Sequence, residues 1–199
     1  MADVTLLRTT GADATRAVGA ALAGVLGPGD VVVLTGDLGA GKTCLAQGLA
    51  AALGVETRVT SPTFTLHAVH DAAGGAQLHH LDVYRLGGVD EAADLDLDEL
   101  VETGITVIEW GERIAAALPA ERLELTLRYV EPGVAAGARE HPDGGEPHGE
   151  EPHGDDNDNV RTIEVVWRGD SSGHRSAHRV EALAVALGPW RVEPDPPGS

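Results

Sequence analysis

The sequence predicts an α/β sandwich on a mixed sheet. Three observations carry this. VVVLT at 31–35 and ITVIEW at 105–110 are short, β-branched-rich apolar runs, and both read as buried strands. A glycine-rich turn at 36–41 and a helical stretch from about Lys42 to Leu53 follow the first run. TFTLHAV at 63–69 and AQLHHLDVYR at 76–85, separated by DAAGG, read as the two arms of a β-hairpin.

The other elements follow in chain order. Ala14, Ala17, Val18, Ala21, Leu22, Val25 and Leu26 fall on one face at helical spacing. Thr10 or Asp13 is placed to cap that helix, and Gly27-Pro28-Gly29 to end it. DLDLDEL at 94–100 reads as a short helix or loop, and ERIAAAL at 112–118 as a short helix stopped by Pro119. LELTLRYV at 123–130 alternates like a half-exposed strand, with VRTIEVVWR at 160–168 as its partner. VEALAVAL at 180–187 reads as a last helix. Between the paired strands, 131–159 carries nine acidic residues and one Arg among many Gly and Pro, the composition of a disordered acidic insertion. The expected organisation is a core over 1–130, the insertion at 131–159, the rest of the core at 160–188 and a flexible tail at 189–199.

Composition narrows the function. The 199 residues suffice for one domain with a substantial core. Aromatics are only 3% of the chain, so that core rests on Ala, Val, Leu and Ile. A formal net charge of −18 disfavours direct grip on nucleic acid or an anionic membrane. The single cysteine, Cys44, precludes an internal disulfide and fits a reducing cytoplasm. The first residues lack the basic start and apolar run of a signal peptide, and no apolar stretch is long enough to cross a bilayer.

Gly36-Asp37-Leu38-Gly39-Ala40-Gly41-Lys42-Thr43 matches G-x-x-x-x-G-K-[ST], between a predicted strand and a predicted helix. Glycines let the backbone N–H groups converge on phosphate oxygens, and the helix start adds its positive dipole end. Lys42, the only lysine in the chain, is placed to reach the β- and γ-phosphates, and the Thr43 hydroxyl to ligand Mg²⁺. Magnesium also needs a carboxylate, usually at the end of a buried strand. Glu109, ending ITVIE, and Asp82, after LHHL, are the candidates. The motif makes the expected fold a three-layer P-loop NTPase-like one, with a mixed, largely parallel sheet plus β-hairpins. His67, His70, His79 and His80 lie on the predicted hairpin. Neighbours on a strand face opposite sides, so His79 and His80 do not share a metal site and read as half-exposed sheet residues. His141, His148 and His153 belong to the insertion and read as solvated spacer. Cys44 falls in the first turn of the helix, where a thiolate is favoured, but reads as a small buried apolar group.

GDLGAGKT, SPTF at 61–64, HLDVYRL at 80–86 and EWGER at 109–113, in that order, resemble the bacterial TsaE family, formerly YjeE. This is the P-loop ATPase of tRNA threonylcarbamoyladenosine biosynthesis. The resemblance covers about residues 5 to 130 and resumes near 160. It implies ATP and Mg²⁺ as cofactors and TsaB-like and TsaD-like proteins as partners, with hydrolysis resetting that assembly in the cytoplasm. It also implies that Thr43 and Glu109 ligand Mg²⁺, that Asp82 is the Walker B-like acid close to the metal, and that Thr63 and its neighbours form a switch segment. Lys42, Asp82 and Glu109 are thus the expected catalytic group. Gly36, Asp37, Leu38, Gly39, Ala40, Gly41, Lys42, Thr43, Cys44, Trp110 and Arg161 are the expected nucleotide contacts, and either Asp82 or Glu109 orients the attacking water. Cys44 departs from the family's usual Thr or Ser, and the acidic insertion lies outside its usual pattern.

A small-molecule kinase also uses a P-loop, but the arginine-rich lid such enzymes carry over the phosphates is not evident in the sequence. A GTPase needs an N-K-x-D guanine motif, which a chain whose one lysine is Lys42 cannot contain. A non-enzymatic binding module, whose surface is merely ordered by nucleotide, remains the third alternative. The acidity gives a direct expectation: the isolated chain shows no measurable tRNA affinity at physiological salt. A gel-shift titration checks it, and tight binding by the lone chain contradicts it.

Overall fold

The computed structural model describes residues 4–92, 95–130, 159–169 and 174–193. Its strands are β1 (Val4–Thr10), β2 (Val31–Thr35), β3 (His67–Asp71), β4 (Gln77–Asp82), β5 (Gly104–Glu109), β6 (Arg122–Val130) and β7 (Val160–Arg168). Its helices are α1 (Gly11–Ala23), α2 (Lys42–Ala52), α3 (Val89–Ala92), α4 (Leu97–Thr103) and α5 (His174–Ala186), with a 3₁₀ helix over Gly111–Ala117. The seven strands form one sheet in the order β1-β7-β6-β2-β5-β4-β3. The four central strands, β6, β2, β5 and β4, run parallel, and antiparallel pairs close both edges. Among the described residues no helix is long and apolar enough to cross a membrane.

The central strands read as unbroken apolar runs because both faces of the sheet are covered. Val32 and Leu34 enter a core with Val18 and Leu22 of α1, Leu45 and Leu49 of α2, and Leu183 of α5. Val31 and Val33 point the other way, to Leu81, Ile108, Leu97 of α4 and Ile114 of the 3₁₀ helix. This is the three-layer arrangement expected from the sequence. Strand β6 shows the one-sided pattern instead: Leu123, Leu125 and Leu127 are buried, and the residues between them are less so. Its partner is β7, in the register Leu125↔Val165. Helices α1 and α2 pack with backbones nearly in contact, since a Cβ on Gly48 would stand 1.9 Å from the Arg16 carbonyl oxygen.

Several expectations are corrected. The strand expected at 63–69 begins only at His67, because Thr65 and Leu66 donate their N–H groups back to the Pro62 carbonyl in a turn and Leu66 takes a positive φ of 62°. Its partner stops at Asp82, short of Arg85. Strand β1 went unforeseen, and its partner β7 lies more than 150 residues along the chain in the register Thr5↔Val165. Helix α1 ends at Ala23, before Gly27, and neither Thr10 nor Asp13 caps it through its side chain. Asp13 pairs with Arg16 instead. The tail expected from residue 189 is tied down as far as Val192, whose N–H donates to the Leu6 carbonyl beside the Leu7–Arg191 bridge. Residues 131–158 of the expected insertion lie outside the described residues.

His67 and His70 on the edge strand β3 are half-buried as expected, but His79 and His80 are more buried than expected, because β4 is an inner strand covered on both faces. His79 and His80 are each almost fully buried. The Thr103 hydroxyl donates to the Glu99 carbonyl at 2.9 Å, so His79 Nε2–H donates to Thr103 Oγ1 at 2.9 Å. His79 Nδ1 is then the acceptor for His67 Nε2–H at 3.2 Å. Burial pushes His67, His70 and His79 below the ordinary imidazole range, with neighbouring histidine charge a smaller cause. The unfolded chain therefore binds more protons than the folded one once the pH falls below about 6.5. Stability should be complete above that value and fall as the pH drops toward the lowered folded values. Urea midpoints at pH 7.5 and 5.0 check this, and His79→Gln should make the loss shallower.

Candidate nucleotide site

The site forms where β2, β4 and β5 end on the same side of the sheet. Parallel pairing sets Leu34 beside Glu109 and Asp82 beside Glu109 in register. Both carboxylates thus arrive next to the loop leaving β2. In open α/β sheets the carboxyl ends of the strands are the usual place for a ligand.

The loop is shaped by glycines whose conformations L side chains avoid. Gly36, Gly39 and Gly41 have φ of 129°, 79° and 106°. A Cβ on Gly36 would come within 2.1 Å of the Leu127 carbonyl oxygen, so β6 backs the loop directly. Tyr129, also on β6, donates its hydroxyl to the Gly39 carbonyl. Gly41 is the N-cap of α2, and the first helical bond runs from Leu45 N–H to its carbonyl at 2.9 Å. The N–H groups of Lys42, Thr43 and Cys44 therefore have no partner within the helix and give its start an anion-attracting character.

Lys42 is buried; its ammonium donates to the Gly36 and Asp37 carbonyls at 2.6 and 2.8 Å and lies 3.5 Å from the centre of the Trp110 ring. Burial pushes its pKa below the ordinary lysine value, while Glu109, Glu112, Asp37 and Asp82 pull it back up. The Thr43 hydroxyl lies 3.0 and 2.9 Å from the two Glu109 carboxylate oxygens. Glu109 Oε1 also meets His80 Nε2 at 2.8 Å. Asp82 Oδ2 accepts from Thr63 at 2.8 Å and from Ser61, and Asp82 Oδ1 accepts from the Tyr84 N–H at 3.0 Å.

A cleft of about 330 Å³ opens on these groups, lined by Leu38, Gly39, Gly41, Lys42, Thr43 and Cys44 together with Ser61, Thr63, Asp82, Tyr84, Glu109 and Trp110. Gly36, Asp37 and Ala40, expected contacts, do not line it: Gly36 and Asp37 hold Lys42 through their carbonyls, and Ala40 is buried in the core. Cys44 is half-buried at the cleft, not in the core. Arg161 does not line the cleft. Its side chain is buried, would meet a Cβ on Gly41 at 3.3 Å, and donates to the Tyr129 hydroxyl at 3.4 Å. His80 and Tyr129 are contacts that the sequence reading did not assign to the site. For His80 a signal was present, since H-x-D places it on the same strand face as Asp82.

Thr43, Asp82 and Glu109 offer hard oxygen donors, the set that suits Mg²⁺. Among the described residues no group of three or more His, Cys, Asp or Glu converges as a complete metal cage. Magnesium does not require one, because substrate phosphates and water fill much of its shell. A glycine cradle, a buried lysine and a Thr–Glu pair at the helix start therefore fit a Mg²⁺–nucleoside polyphosphate.

The family profile described as "Threonylcarbamoyl adenosine biosynthesis protein TsaE" matches residues 9–135. A protein of Treponema pallidum named tRNA threonylcarbamoyladenosine biosynthesis protein TsaE is 48% identical over 110 residues, covering 55% of this chain and 80% of that one. The protein of the same name from Streptomyces coelicolor is 49% identical over 114 residues, covering 56% and 77%. The crystal structure of Bacillus subtilis YdiB superposes with a TM-score of 0.65 at 30% identity, covering 93% of this chain and 97% of that one. The chain belongs to the TsaE family of tRNA threonylcarbamoyladenosine biosynthesis.

Proposed function

We propose that this chain binds Mg²⁺·ATP in the cleft and hydrolyses it as a partner-stimulated subunit of the tRNA-modifying assembly, working in the cytoplasm with TsaB-like and TsaD-like proteins. The observation that carries the reading is the Thr43–Glu109 pair at the start of α2, 2.9 to 3.0 Å apart and beside a buried lysine. A bound metal neutralises charge building on the phosphate oxygens. Thr43 and Glu109 hold it, directly or through water, and Asp82 stands beside them on the neighbouring strand.

Lys42 leaves the Gly36 and Asp37 carbonyls to face the β- and γ-phosphates, and the backbone N–H groups of 39–44 take the remaining oxygens. Trp110 lines the cleft beside Lys42. Arg161 braces the loop from the Gly41 side. Ser61 and Thr63, now bonded to Asp82, are the groups that a partner would re-aim when hydrolysis is triggered. Asp82 or Glu109 orients the attacking water. The family membership and the acidic charge together favour action on tRNA through protein partners.

The test is ATP hydrolysis by the purified chain, alone and with cognate TsaB-like and TsaD-like proteins. The expected outcome is slow turnover alone and a rise with both partners. Lys42→Ala should lose nucleotide binding or at least about 10²-fold in turnover, the scale on which removing one preorganised electrostatic group acts. Unchanged hydrolysis in that variant overturns the site assignment, and indifference to the partners overturns the assembly role.

A further inference from the structure

We infer that His80 is a positioning residue for the metal carboxylate: its Nε2–H holds Glu109 Oε1 and leaves Oε2 to the metal. The inference rests on the Mg²⁺·ATP reading above.

The geometry is specific. His80 Nε2 lies 2.8 Å from Glu109 Oε1, with the two side chains 1% and 3% exposed. An ionised carboxylate only accepts hydrogen bonds, so Nε2 carries the proton. The other ring nitrogen, Nδ1, is buried with no hydrogen-bond partner among the described residues. The contact with Glu109 is therefore the only hydrogen bond this imidazole makes among the described residues. An apolar side chain would fill the same space without leaving a buried nitrogen unpaired, so core packing alone does not account for a histidine here.

The sheet delivers the ring to that place. Strand β4 puts His80 and Asp82 on one face, two residues apart. Parallel pairing sets them beside Val107 and Glu109 on β5. On the edge side His80 faces Ala68, a residue small enough to leave room for the ring. Glu109 thus has three neighbours with separate tasks. Thr43 touches both carboxylate oxygens, His80 takes Oε1 alone, and Asp82 stands in register on the next strand. Fixing Oε1 sets the carboxylate plane, and Oε2 is the oxygen left to turn toward a cation beside Thr43. Ligating carboxylates that are themselves hydrogen-bonded commonly lose 10- to 100-fold in metal affinity when that support is removed.

The experiment measures metal binding rather than turnover. Mn²⁺ stands in for Mg²⁺, and its binding in the presence of ADP is read by electron paramagnetic resonance for wild type, His80→Leu and His80→Gln. ADP binding is measured separately in EDTA. We expect Mn²⁺ affinity to fall about 10- to 100-fold in His80→Leu. His80→Gln, which keeps an N–H donor at the Nε2 position, should stay close to wild type. ADP affinity in EDTA should be the same in all three. Equal Mn²⁺ affinity in His80→Leu overturns the inference. So does a matching loss of metal-free ADP binding, which marks a merely structural role, or a Gln variant no better than the Leu variant. Failure of the wild type to bind Mn²⁺ with ADP is a different result and overturns the proposed function together with this inference. Nitrogen-15 spectra of the wild-type imidazole, assigned against His80→Gln, test the same point even where His80→Leu does not fold. A proton on Nε2 supports the inference and a proton on Nδ1 overturns it.

Discussion

Lys42, Asp82 and Glu109 are 4%, 3% and 2% exposed, so the start of α2 and the ends of β4 and β5 together carry three ionisable groups almost out of water. Charge buried without compensation costs several kcal/mol per ion, after relaxation. The neighbourhood is arranged around that cost. Lys42 shares its charge with two loop carbonyls and an aromatic face, Glu109 takes hydrogen bonds from Thr43 and His80, and Asp82 takes three from Ser61, Thr63 and a backbone N–H. Among the described residues no ion pair joins Lys42 to either acid at contact distance. The positive and negative groups are thus stabilised separately, which leaves both available to a ligand that carries phosphates and a cation.

Parallel strands make this possible. Register places Asp82 and Glu109 side by side at the ends of β4 and β5, and Leu34 brings the loop after β2 to the same height. Antiparallel β6 and β7 then brace the loop from the other side. Leu127 blocks any side chain at Gly36, Tyr129 holds the Gly39 carbonyl, and Arg161, in register with Tyr129, lies against Gly41. The hairpin therefore shapes the glycine-rich loop as well as extending the sheet, and Arg161, expected as a nucleotide contact, acts here as a brace.

Local signals were legible in the sequence and distant pairings were not. The G-x-x-x-x-G-K-[ST] stretch, the buried β2 and β5 runs, and the acids ending β4 and β5 each depend on a few consecutive residues. Strand β1 escaped because VTLLRTT is interrupted by Arg8 and acquires its meaning from a partner more than 150 residues away. The start of β3 was misplaced because Pro62 draws Thr65 and Leu66 into a turn, although TFTL has the composition of a strand. Burial of His79 and His80 was missed for a related reason. Adjacent residues on a strand face opposite sides, but β4 has a covered layer on each side, so alternation does not put one of them in water.

Trp110 joins the two halves of the site. Its φ of 63° lies in the left-handed region, a conformation that costs a non-glycine residue on the order of 1–3 kcal/mol. Two contacts hold it there: its N–H donates to the Leu34 carbonyl at 2.8 Å, and its ring meets Tyr84 at a centroid distance of 4.9 Å. Tyr84 is in turn fixed by its N–H to Asp82, the carboxylate that holds Ser61 and Thr63. Trp110 also carries the Lys42 ammonium against its ring. A movement of the 61–63 segment therefore has a short path of direct contacts to the lysine, through Asp82, Tyr84 and Trp110. Under the proposed function, withdrawing Lys42 from its carbonyls toward a ligand would remove a cation from the Trp110 face and so change the balance that keeps the strained backbone in place. The glycine-rich loop and the 61–63 segment thus bear on the same aromatic pair, Tyr84 and Trp110, through direct contacts.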